Sequence, residues 1–264
     1  TLDSVSFPEL TTISNATSFT SAFNSANIGS ISFPKLSTLS VNSALTNVFQ
    51  DSIGYTTISF PSIVSINKTN VFYEAFKMTT ASQSDTLTTV SFANLKNAYG
   101  TDSFAYAFQN RSSITSLNFP NLEVLDGTRV FYFTFENCTS LQAVTFPKLN
   151  KIRGSDTIEN IFRGCTSLTS VSFPALVTIE STSTRCANSP FYDCSSLHSV
   201  SLPVLESLKG TNTIRKFLQN TPVTTISFPS LTTCDKASLS GAFADSSVTE
   251  AHFPAAMQAT IEAC

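Results

Sequence analysis

Residues 165–179 read CTSLTSVSFPALVTI, and the fold follows from how this stretch is read. Leu168, Val171 and Phe173 form an L-x-x-V-x-F frame, followed by Pro174, Leu176 and Ile179. Val171 and Phe173 alternate with Ser170 and Ser172, the pattern of a short strand with one apolar face. Pro174 has no N–H to give a central ladder, so it ends that strand. Leu176 and Ile179 then return two more apolar side chains to the interior.

Variants of the unit recur in both directions. Setting each on the residue before its proline gives ten anchors: Phe7, Phe33, Phe60, Phe92, Phe119, Phe146, Phe173, Leu202, Phe228 and Phe253. The intervals are 26, 27, 32, 27, 27, 27, 29, 26 and 25 residues, and only Ala93 replaces the following proline. A period of this size over so many units predicts a solenoid, in which each coil buries its ladder residues only against its neighbours. A second aromatic ladder precedes the next strand: Phe23, Phe49, Phe76, Phe108, Phe135, Phe162, Phe191, Phe217 and Phe243. Four residues before several of these stand Phe19, Leu45, Phe72, Phe104, Phe131, Ile158 and Leu239. That i, i+4 spacing predicts one turn of helix with both side chains on one face. Each coil is expected to be a strand, a proline corner, an extended return and a short helical turn.

Composition narrows the function classes. Only 12% of the 264 residues are charged and the net charge is -3, with no Lys/Arg cluster, so the footprint of a nucleic-acid binder is missing. Ser and Thr make up roughly three residues in ten, so hydroxyls and amides supply solubility. No apolar run is long enough to span a membrane. The chain enters a repeat at Leu2 and Val5, which reads as a piece of a longer, processed protein.

The L-x-x-V-x-F-P frame with a later F-x-x-C, as in Phe135–Cys138 and Phe162–Cys165, resembles the BspA-like (treponemal-type) leucine-rich repeats over essentially the whole chain. The resemblance implies a right-handed leucine-rich-repeat superhelix of about ten coils, a single solenoid over 1–264, with parallel strands on its concave face. It also implies a cell-surface or secreted, bacterial type of module acting in adhesion and binding to host or matrix proteins. The chain departs from that pattern in its longer units and in using Phe before Pro.

Catalytic chemistry has little support. The two His, at 198 and 252, join no Ser/His/Asp or Cys/His arrangement, and there is no glycine-rich phosphate loop. The chain is read as no enzyme, with no cofactor. Cys138, Cys165 and Cys194 share one slot in consecutive coils, read as a ladder of small buried hydrophobes in preference to a metal or redox set. The outward strand positions form Ser/Thr columns, either solubilising filler or a floor for carbohydrate.

The candidate partner-binding residues are Tyr73, Tyr99, Tyr106, Tyr132 and Phe133. They occur where other coils place Thr20, Ser21, Thr46, Asn47, Glu159 and Asn160. If exposed they mark an interaction site; if a wider local core swallows them they do not. The insertion around Ser82 is expected to form the rim of that site. A protein partner is expected, with two alternatives: a glycan-binding module, or a rigid spacer presenting another domain.

Overall fold

A computed structural model describes residues 2–80, 85–235 and 237–257. The V-x-F frames form ten short parallel strands, from Val5–Ser6 to Glu250–His252. Their register follows the anchors: Val144 pairs with Val171, and Val171 with Val200. The apolar residue of each frame points inward and its hydroxyl neighbours outward, as the two-residue period of a strand requires. The L-x-x-I returns pair as well, giving nine strands from Thr12–Ile13 to Thr233–Cys234. Seven of these, from Ser65–Ile66 onward, make one continuous parallel sheet. The hydroxyl-bearing ladder is instead broken into short sheets of two or three strands, so it offers no single floor. The molecule is a β-solenoid of about nine turns.

The turn segments stand where the i, i+4 spacing places them, but they are not helical. Their backbone has positive φ at every fourth residue, as at Ser43, Asn47 and Asp51 or Asp102, Tyr106 and Asn110. Alternate N–H groups go to the next coil: Leu45 to Val71 O at 2.9 Å, Asn47 to Tyr73 O at 3.0 Å and Phe49 to Ala75 O at 2.8 Å. Those between fold back three residues, as Thr46 does to Ser43 O at 3.3 Å and Gln50 to Asn47 O at 3.2 Å. An α-helix would spend its interior N–H groups within the segment and leave none for the stack. A four-residue turn period also satisfies an i, i+4 spacing, which is why the two patterns look alike in sequence. Among the described residues the one helix is the 3₁₀ turn Ala255–Met257, and no helix is long and apolar enough to cross a membrane.

Inside, the two aromatic ladders stack through the coils. Phe76 lies 5.2 Å from Phe108, and Phe108 lies 5.5 Å from Phe135, with planes within 7° of parallel. Phe92 stacks on Phe60 at 5.2 Å and on Phe119 at 5.3 Å in the anchor ladder. Full burial of one such ring stabilises by roughly 1.5–3 kcal/mol.

The cysteine slot, three residues after the second-ladder Phe, has a task that its hydrophobic reading omits. Cys165 Sγ donates to Phe135 O at 3.1 Å, Cys194 Sγ to Phe162 O at 3.0 Å and Cys138 Sγ to Phe108 O at 3.5 Å. Ser52 in the same slot gives its hydroxyl to Phe23 O at 2.5 Å. Each side chain thus gives a second donor to a carbonyl of the preceding coil that already accepts the backbone N–H three residues on, as Phe135 O does from Cys138 N at 3.2 Å. Burial pushes all three thiols up in pKa, Cys194 to about 12. Thiolate is therefore scarce, and we expect Cys138, Cys165 and Cys194 to stay unlabelled by a thiol reagent in the native protein and to react on unfolding. Rapid labelling of any of them in the native state would contradict this packing.

Arg111 occupies that slot in the coil before Cys138, and its side chain is wholly buried. Its Nε donates to Phe76 O, as a slot residue should, and its Nη2 reaches one coil further, to Phe49 O at 3.4 Å. Thr79 holds the slot that would serve Phe49 O. It lies outside instead, bonded to Asp51, at the start of the insertion that lengthens this coil. Arg111 therefore covers two carbonyls. Its charge is met by buried Asp85 at 3.1 Å, and Nη2 also donates to the Tyr55 hydroxyl at 2.8 Å. Asp85 in turn accepts from Ser113 N at 3.0 Å and Leu87 N at 3.3 Å. Burial pushes the Tyr55 hydroxyl up to about 12, so it stays neutral.

Candidate functional site

The turn face presents its side chains in columns, because successive coils place equivalent residues one above another. One column runs Thr46, Tyr73, Ala105, Tyr132, Glu159 and Asn188. The next, at the middle positive-φ position, runs Asn47, Glu74, Tyr106, Phe133, Asn160 and Ser189. In three consecutive coils these columns bring four of the five sequence-predicted residues together. Tyr106 meets Tyr73 edge-on at 5.9 Å and Tyr132 edge-on at 5.4 Å, and stacks on Phe133 at 5.5 Å. Tyr132 and Phe133 lie 4.6 Å apart. Ala105 takes the place of a ring in the first column. All four rings are half-buried, neither fully exposed nor taken into the core. Tyr99 stands apart, 44% exposed just after the return strand Asn97–Ala98. The insertion expected to rim the site, around Ser82, lies outside the described residues.

Tyr106 and Phe133 have φ of 57° and 51°. Asn, Asp, Ser and Gly fill most such positions in this chain, since short polar side chains and glycine tolerate the left-handed region. A bulky ring there costs on the order of 1–3 kcal/mol. The cluster is therefore held in place against local preference by the coils around it.

Charged groups that sequence reasoning missed complete the face. Lys77 Nζ lies 5.2 Å over the Tyr106 ring and the Arg129 guanidinium 5.8 Å over Tyr132. Each of these cations also holds a carboxylate, Lys77 with Glu74 at 2.9 Å and Arg129 with Asp102 at 2.7 Å. Glu136 faces Arg163 at 3.4 Å. The signal was available, because Lys77, Asp102, Arg129 and Glu136 stand three or four residues from Tyr73, Tyr106 or Tyr132. Burial, then the neighbouring Tyr132, raises the Tyr106 hydroxyl, and burial, then the Glu159 charge, raises that of Tyr132, so both stay neutral. No group of three or more His, Cys, Asp or Glu among the described residues is placed to hold a metal ion.

Beyond Tyr132, Glu159 and Asp156 share one cation. Arg185 Nε is 2.9 Å from Asp156 and 3.6 Å from Glu159. Burial, reinforced by the contact with Asp156, pushes the Glu159 carboxyl up to about 7. The folded state then binds a proton that the unfolded chain, with an ordinary glutamate pKa near 4.3, releases. Between those values the native state holds more protons, so stability falls as pH rises from about 4.5 to 7. We expect Glu159→Gln to flatten that slope, by about 1–3 kcal/mol across the window, in urea melts at stepped pH. An unchanged slope would show that Glu159 titrates normally.

No curated protein sequence matches the chain. Among solved structures, a leucine rich cell surface protein from Faecalibacterium prausnitzii is 15% identical over 76% of this chain, with a TM-score of 0.38. This chain spans 59% of that protein's length. A leucine-rich repeat protein from Bacteroides ovatus is 17% identical over 96% of this chain and 82% of its own, at a TM-score of 0.37. One from Eubacterium ventriosum is 18% identical over 96% and 84%, at 0.38. The family model described as BspA type leucine rich repeat region matches six copies over residues 1–102 and 101–240, and the chain belongs to that family.

Proposed function

We propose that this solenoid is a non-enzymatic binding module, displayed at a cell surface or secreted, that recognises a host or matrix protein through the Tyr73–Tyr106–Tyr132–Phe133 cluster. The observation that carries the reading is the cluster itself: four contiguous half-buried rings, two of them in left-handed backbone. Core packing gives no reason for that expense, since the Phe ladders beneath are already continuous. Aromatic side chains bring large contact area at low entropic cost, so a few can dominate an interface. Family membership supports a protein-interaction module. The hydroxyl columns, on broken sheets of small side chains, offer no comparable anchors.

The test is to present the chain to surfaces coated with collagen, fibrinogen or laminin, and in parallel to a glycan array. Saturable binding to a protein surface, with a silent array, is the expected result. Binding to glycans alone would replace this reading with the carbohydrate one, and silence on both would favour a spacer.

A further inference from the structure

The carboxylates of the turn face around the cluster are matched to cations, except at one place. Glu74, Asp102 and Glu136 each have their own Lys or Arg, whereas Asp156 and Glu159 share Arg185, which leaves one negative charge over once Glu159 is ionised. The surplus lies beside Tyr132, whose column Glu159 continues into the next coil and whose neighbour Phe133 donates its N–H to Glu159 O at 3.0 Å. Two acceptor oxygens here lack a hydrogen bond: Asn188 Oδ1, and Glu159 Oε2, which faces Arg185 Nε at 3.6 Å, beyond hydrogen-bond distance. Both residues are only 7% exposed, and they are joined, since Asn188 Nδ2 donates to Glu159 Oε1 at 3.2 Å. Asn160 Nδ2 completes that oxygen's environment at 3.5 Å.

We propose that Glu159 and Asn188, with Asp156, form a subsite for one arginine side chain presented by the protein partner, next to its apolar contacts on Tyr132, Tyr106 and Phe133. This rests on the reading of the aromatic cluster as the partner site. A guanidinium has donors and no acceptor, which matches two acceptors that lack donors; a sugar hydroxyl brings both. Its planar fork engages two oxygens at once, and its face stacks on a tyrosine ring. The surplus charge then selects a cation over a neutral amide of the same shape. To admit it, Arg185, which is 38% exposed, turns outward while keeping its shorter contact with Asp156. A proton is the other cation that fits, and it occupies Glu159 when pH falls, so arginine and proton compete. Asp156, Arg185, Tyr132, Asn160 and Asn188 are the groups that set that competition. Arginine binding is therefore expected to tighten as pH rises through 7.

The test uses the full chain with 13C-carboxyl glutamate and labelled tyrosine, titrated with N-acetyl-arginine amide and, separately, with its uncharged isostere N-acetyl-citrulline amide. Saturable shifts of the Glu159 and Tyr132 signals are expected with the arginine compound, with affinity about tenfold weaker for citrulline and, read at Tyr132, in Glu159→Gln. The arginine compound should also lower the Glu159 titration midpoint. Equal shifts from both compounds would overturn the subsite and leave the aromatic reading standing, because Tyr132 would still bind. No saturable shift from either, or an unchanged response in both Glu159→Gln and Asn188→Leu, would also overturn the subsite. The aromatic reading is tested apart from this, by binding of the Tyr106/Tyr132 variant to protein surfaces.

Discussion

Arg111→Ala is expected to destabilise the chain by about 3–5 kcal/mol, the loss that follows when a buried ion pair keeps only one partner. Asp85 would remain wholly buried with its charge unmatched. The carbonyl of Phe76 would lose the Arg111 donor at the same time, while that of Phe49 would keep the Ser52 N–H at 3.1 Å. Asp85→Asn should cost less, because an amide oxygen in the Oδ1 position still accepts from the guanidinium and from Leu87 N, and only the Ser113 N–H loses its acceptor. Urea denaturation of the two single variants and the double then gives the coupling directly. Arg111→Ala within about 1 kcal/mol of wild type would mean that the insertion, not this residue, holds the widened coil together.

Phe108→Ala should cost about 3–5 kcal/mol by the same measurement. The ring is fully buried and stacks on Phe76 above and Phe135 below, so its removal opens a cavity between two coils that cannot close without breaking the ladder. Coil-to-coil interfaces carry the stability of a solenoid, so the transition should also broaden or split in two. Replacement by leucine, which Leu202 shows to be acceptable in the anchor ladder, should recover most of the loss. A sharp transition with less than about 1 kcal/mol lost would contradict a continuous stacked core.

The ladders were legible because a strand frame repeated ten times leaves one register that keeps every apolar residue inside, and Val171 pairs with Val144 and Val200 accordingly. The second sheet was harder to read. Its strands at Thr12–Ile13 or Ser65–Ile66 are two residues long, too short to show alternation, so only their inward residue was evident. The turn geometry was hidden behind an i, i+4 spacing common to a helix and to a four-residue turn series. Asn and Asp four residues apart, as at Asn47 and Asp51 or Asp156 and Asn160, were the available sign. Arg111 stood in plain view as a charged residue in a slot that the next three coils fill with Cys. Its partners Tyr55 and Asp85, 56 and 26 residues away, become neighbours only once the coils are stacked. The aromatic cluster was legible in its members but not in its exposure, because adjacent positions in a turn series lie in different columns. Tyr106 and Phe133 belong to the column in which φ is positive, and Tyr73 and Tyr132 to the one before it.

Tyr106→Ser combined with Tyr132→Ser is the most direct test of the proposed partner site, read for melting temperature and for binding to the protein surface that captures the wild-type chain. Both rings are half-buried, and serine suits the left-handed backbone of Tyr106 better than tyrosine does, as Ser21 and Ser189 show. The melting temperature should therefore stay within a few degrees of wild type while binding is lost. A large fall in melting temperature, or binding that survives the double substitution, would contradict the assignment of this face to partner recognition.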